Sequence, residues 1–170
     1  MKRTIAYTVL ALLLLTSFKN VNQSAAKSNG YSEVNGIKMY YEIYGQGKPL
    51  VLIHGGGLTI ETTFGRVIPM LAKKYKVIAM DLQAHGRTSD RAAPESFEQD
   101  ADDVVTLLKN LNIPKTYFFG FSNGGTTAVQ IAIRHPEIVD KIILGVYEAS
   151  NTSKHARTIK RSLFKSFTQS

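Results

Sequence analysis

The sequence predicts an α/β fold: a mostly parallel sheet with helices on both faces. Apolar runs of strand length alternate with helical patterns. The runs are nearly continuous, as in strands covered on both sides. Two of them lead straight into glycine-rich turns, at His54-Gly55-Gly56-Gly57 and at Ser122-Asn123-Gly124-Gly125.

Taken in order, Ile37–Tyr44 reads as an early strand, and Gly45-Gln46-Gly47-Lys48-Pro49 as a turn into a strand over 50–53. A helix is predicted over 64–75, with Val67, Met70 and Leu71 on one face, before a strand over 76–82. Ser96 and Gln99 have the spacing of a capping box, opening a helix that carries Phe97, Ala101, Val104, Leu108 and Leu111 and cannot pass Pro114. Thr116–Phe121 is the next strand. The helix beginning after Ser122 brings Ala128, Val129, Ala132 and Ile133 along its length and ends before His135-Pro136. Residues 141–145 form the last predicted strand.

Composition narrows the function classes. The chain has 170 residues, 44% hydrophobic and 20% charged, which suits a packed core and no form of low-complexity polymer. It contains no Cys, so a disulfide, a thiolate metal site and a cysteine nucleophile are excluded, and the four His are too scattered to suggest a metal cluster. No metal and no cofactor are expected. The net charge of +8 lies at the ends: residues 1–26 and 151–170 carry basic residues and no acid, while 27–150 balance 13 against 13. A neutral body with basic ends is no footprint for nucleic acid.

Residues 1–26 read as a signal peptide. Lys2 and Arg3 precede an apolar run from Ile5 to Leu15, and Ser24-Ala25-Ala26 offers small residues for cleavage near Ala26. The apolar stretch, counted to Phe18, is shorter than the roughly 20 residues a spanning helix needs. The mature protein is expected to be exported, periplasmic or secreted.

Gly120-Phe121-Ser122-Asn123-Gly124 is a G-x-S-x-G between a predicted strand and a predicted helix, the context that motif requires. It would project the Ser122 hydroxyl into the crevice at the carboxyl end of the sheet, with the helix N-terminus beside a developing oxyanion. The glycine run 55–57 follows its own strand and can turn N–H groups toward the same crevice. Asp81-Leu82-Gln83-Ala84-His85-Gly86-Arg87-Thr88-Ser89 is, alone, a polar loop.

Together, in this order, these three segments resemble the α/β-hydrolases, in the esterase-like branch with a His-Gly-Gly-Gly oxyanion loop; the resemblance runs from about Ser32 to Gly145. The Gln83-to-Ser89 stretch is similar to that family's Pro-Gly-His-Gly-x-Ser loop, with Gln83-Ala84 in place of Pro-Gly. The resemblance implies a serine hydrolase of esters or similar carbonyl compounds, with Ser122 as nucleophile and the N–H groups of Asn123 and Gly56 as oxyanion donors. It also implies a triad acid and His later in the chain. Glu148 matches one position where some members place the acid. No residue matches the His: His155 is read as a surface residue, His54 and His85 as loop-shaping residues, and His135 as a helix-end residue.

The expectation is therefore a C-terminally truncated member, with 27–150 as the N-terminal part of the hydrolase domain and the last strands and cap missing. Residues 151–170 would be a basic tail or the start of a cap, with Ala156, Ile159, Leu163 and Phe167 at helical spacing; membrane contact through it is not expected. This chain alone is expected to be incomplete or inactive, with a partner covering the exposed edge strand. The alternatives are a non-catalytic ligand-binding or scaffold protein of the same fold, and a subunit completed by another chain.

Overall fold

The computed structural model describes residues 28–146. Six strands form one mixed sheet: β1 (Ser28–Val34), β2 (Ile37–Tyr44), β3 (Lys48–Ile53), β4 (Tyr75–Met80), β5 (Thr116–Phe121) and β6 (Val139–Gly145), in the spatial order β1-β2-β4-β3-β5-β6. β1 with β2 and β2 with β4 are antiparallel, while β3 pairs in parallel with β4 and β5, and β5 with β6. The helices are α1 (Ile60–Phe64), α2 (Ile68–Leu71), α3 (Phe97–Asn110) and α4 (Asn123–Arg134), with a 3-10 turn at Pro136–Ile138.

Strand periodicity divides the core into two layers, because successive side chains point to opposite faces. Val51, Ile53, Ile78, Met80 and Phe118 face α3 and α4, where Val104, Leu107, Leu108, Ala128 and Ile131 close the layer. Their neighbours Leu50, Leu52, Val77, Ala79 and Phe119 face the other way, onto Ile60, Phe64 and Ile68 of α1 and α2. The continuous apolar runs of β3 to β5 follow from this double coverage.

The structure corrects the elements in five places. β1 was not anticipated; it returns as β2 through Asn35-Gly36, both at positive φ (44° and 88°), the pair a two-residue hairpin favours. The helix expected over 64–75 is two short pieces. Thr59 caps α1, exchanging hydrogen bonds with Thr62, and α1 ends at Gly65; Pro69 then stands in the first turn of α2, where a missing N–H costs nothing. Ser96 Oγ accepts the Gln99 N–H at 3.1 Å, but the Gln99 amide donates to Asp103 rather than back to the cap, so half of the predicted box forms. The strand predicted over 141–145 begins earlier, at Val139, and that over 76–82 ends earlier, at Met80.

The signal segment, Glu148, His155 and the tail 151–170 lie outside the described residues.

Candidate functional site

The parallel strands β3, β4, β5 and β6 end on one side of the sheet, and the loops that follow them meet there. The sharpest turn is at Ser122. It sits between β5 and α4 with φ 52° and ψ −120°, a conformation that costs a non-glycine residue about 1–3 kcal/mol and must be enforced by its surroundings. The Ser122 N–H donates to Gly145 O at 2.7 Å, tying the turn to the end of β6.

Two glycines make the turn sterically feasible. A Cβ on Gly120 would stand 2.2 Å from Gly124 O, and one on Gly124 would stand 2.2 Å from Ile53 O and 2.4 Å from His54 O. Residues 120 and 124 therefore let the start of α4 press against both its own strand and the end of β3. The Ser122 side chain is exposed, and its hydroxyl has no hydrogen-bond partner among the described residues.

The glycine loop after β3 lies directly against this turn. A Cβ on Gly55 would be 3.3 Å from Ser122 Cβ, and one on Gly56 would be 2.4 Å from Asn123 Nδ2. Ser122, Asn123 and Gly56 are thus brought together. The Asn123 N–H opens α4, at the positive end of its dipole, and neither it nor the Gly56 N–H has an acceptor among the described residues. Two donors beside an exposed hydroxyl can stabilise charge on a carbonyl oxygen that the hydroxyl attacks.

His54 and His85 build the floor and side of the loop. His54 is fully buried, and its Nε2 accepts the Leu82 N–H at 3.0 Å, so its proton sits on Nδ1 and is donated to Gly55 O at 2.8 Å. Burial, the largest influence, holds its protonation below the usual His range, with nearby His85 acting in the same direction. His85 has the same arrangement: Nε2 accepts the Gly57 N–H at 3.0 Å and Nδ1 donates to Gln83 O at 2.7 Å. The two rings lie 5.0 Å apart. With both Nε2 lone pairs occupied by backbone N–H groups, neither His can take a proton from Ser122 as the loops stand. His135 lies past the far end of α4, whose 12 residues span about 18 Å, and bonds Asp102. None of the three described His residues is the base. Glu148 lies outside the described residues.

Sequence reasoning passed over the residues that brace this loop cluster. Asp81, only 1% exposed, accepts the N–H of Ile60 through Oδ1 (2.9 Å) and of Arg87 through Oδ2 (3.0 Å). A Cβ on Gly86 would be 2.2 Å from that carboxylate. Thr88 donates to Asp81 O and accepts the Tyr40 N–H, and Glu42 receives Arg87, Tyr40 and Tyr44. The signal was present as an acid at the end of a strand run, but its partners are backbone N–H groups that no residue pattern records.

A family model described as the alpha/beta hydrolase fold matches residues 48–168. Human "Serine hydrolase BPHL" is 38% identical over 116 residues, 65% of this chain and 40% of that protein. The 2-hydroxy-6-oxo-6-(2'-aminophenyl)hexa-2,4-dienoic acid hydrolase of Metapseudomonas resinovorans is 32% identical over 117 residues, 67% of this chain and 40% of its own. The solved enol-lactonase from Burkholderia xenovorans LB400 superposes with a TM-score of 0.63 at 29% identity, covering 66% of this chain and 44% of that one. The chain thus spans about two-fifths of the length of these relatives. The sheet order, the strained turn between β5 and α4 and a family model across most of the sequence agree: the chain belongs to the α/β hydrolase fold family.

Proposed function

We propose that this chain is the nucleophile-bearing part of a serine hydrolase acting on esters or similar carbonyl compounds. The observation that carries the reading is an unpartnered Ser122 hydroxyl, held on a strained turn beside two free N–H donors. Ser122 Oγ forms a bond to the carbonyl carbon, the C=O electron pair moves onto oxygen and is stabilised by the N–H groups of Asn123 and Gly56, and the alcohol leaves as the acyl-enzyme forms. Water then releases the acid. The Ser122 proton requires a base from outside residues 28–146, since the three described His residues are otherwise engaged. Residues 28–146 thus supply the nucleophile and the donors but not the base, and an oxyanion hole without a base retains only a small part of the catalysis.

The relatives' names as hydrolases support the reaction class. Mixing the folded chain with a p-nitrophenyl acyl ester and imidazole as external base should give a Ser122-dependent burst of no more than one nitrophenolate per chain, absent in Ser122→Ala. An equal burst in Ser122→Ala, or none in either protein, overturns the proposal. A ligand-binding or scaffold role would instead leave ester affinity intact in Ser122→Ala with no acyl-enzyme in either.

Export after cleavage near Ala26 rests on the pattern of residues 1–26. N-terminal sequencing of the secreted or periplasmic product should begin at Lys27; an intact Met1 there contradicts it. A partner for the outer edge of β6 is proposed because Leu144 on the strand and Val146 just after it are 54% and 70% exposed, and β6 pairs only with β5 among the described residues. Leu144→Lys should lower concentration-dependent association in light scattering, and unchanged association would refute it.

A further inference from the structure

Resting on the reading of Ser122 as nucleophile, we propose that His85 is a positioning residue for the oxyanion hole: by accepting the Gly57 N–H it fixes the glycine loop and leaves Gly56 as the loop's oxyanion donor. Three consecutive glycines have little conformational preference of their own, so something outside the run must set their peptide planes. Gly57 has φ 68°, with nothing within 4 Å of a Cβ placed there, so packing does not hold it. Its restraint is polar: the N–H donates to His85 Nε2 at 3.0 Å.

The ring is itself held for this task. Nδ1–H donates to Gln83 O at 2.7 Å, which fixes the tautomer and keeps the Nε2 lone pair pointing at Gly57. Asp81 anchors the same loop two residues later through the Arg87 N–H and also anchors Ile60, beyond the glycine run. The loops after β3 and β4 are thereby tied at two points, one at the last glycine of the run and one three residues beyond it. His54 adds the second restraint on the run, donating to Gly55 O while the Leu58 N–H donates to the same oxygen at 3.2 Å. Between Gly55 O and Gly57 N–H, both engaged, the Gly56 N–H is left without an acceptor among the described residues, and Gly56 itself packs against the Asn123 side chain. His85 touches neither the hydroxyl nor the oxyanion; it acts through Gly57.

The test compares His85→Ala with His85→Gln, whose Oε1 can reach the place of Nε2 and accept the same N–H. Amide hydrogen exchange at Gly57, read by NMR on the glycine-labelled protein, reports the hydrogen bond whether or not the chain turns over. The maximal rate and half-saturation constant of Ser122 acylation by a p-nitrophenyl ester, with imidazole present, report its consequence. In His85→Ala, Gly57 should lose its exchange protection and maximal acylation should fall by about 10²-fold, the loss typical of one oxyanion donor, with half-saturation little changed. His85→Gln should recover both, at an unchanged melting temperature. Gly57 still protected in His85→Ala, or acylation unaltered by it, would overturn the inference. If no protein acylates at Ser122, the reading of the nucleophile fails, and Gly57 protection alone then decides whether His85 fixes the loop.

Discussion

Ser122 is held in its strained conformation by contacts that tolerate no side chain at two positions. Gly124→Ala pushes a methyl group into the backbone oxygens of Ile53 and His54 and should destabilise the fold by about 3 kcal/mol or more. Gly57→Ala meets nothing and carries only the left-handed backbone penalty, about 1 kcal/mol. Urea unfolding of the two variants measures the difference, and equal costs would contradict the packing described. A second prediction concerns Asp100. Burial, reinforced by Asp103 and Glu95, pushes its carboxyl up from 3.8 to about 6. Between those values the folded state holds the proton and the unfolded state does not. The contribution of the protonated form is thus complete below about pH 4 and is lost as pH rises through 6. Asp100→Asn should raise stability at pH 7.5, by up to about 3 kcal/mol, and change it little near pH 4. At this scale the glycines and the serine were legible from G-x-S-x-G alone. The tautomers of His54 and His85 were not, because backbone groups remote in sequence set them.

At the scale of elements, the buried strands announced themselves through unbroken apolar runs, which is what coverage on both faces demands. β1 did not, since Ser28, Asn29, Ser32 and Glu33 are polar or charged and sit on a strand with exposed positions; the Asn35-Gly36 pair was its clearest trace. The region between β3 and β4 misled for another reason. Val67, Met70 and Leu71 have helical spacing, but they fill only the one-turn α2 and its cap; α1 has already ended at Gly65, and Pro69, with no N–H, cannot bond back toward it. Ser96 illustrates a cap with a measurable role. It satisfies the Gln99 N–H at the start of the 14-residue α3, and Ser96→Ala should cost about 1 kcal/mol in thermal or urea unfolding. The loss should stay in that range because Gln99 spends its side chain on Asp103 and contributes no reciprocal cap.

For the whole molecule, the decisive feature is that four parallel strand ends deliver the serine turn, the glycine loop and the His85 loop to one place. That convergence was legible because each loop followed a recognisable strand; the sheet order was not, since non-adjacent pairings such as β3 with β5 leave no local mark. Ser122, set against two N–H donors, is proposed to be a chemically competent nucleophile once a base is present. The direct measurement is the intact mass of the folded protein after treatment with a fluorophosphonate, with and without imidazole, and with Ser122→Ala as control. We predict one phosphonyl adduct per chain, formed faster with imidazole and absent from Ser122→Ala. No adduct on folded protein under either condition, or an adduct that survives the substitution, would contradict the account.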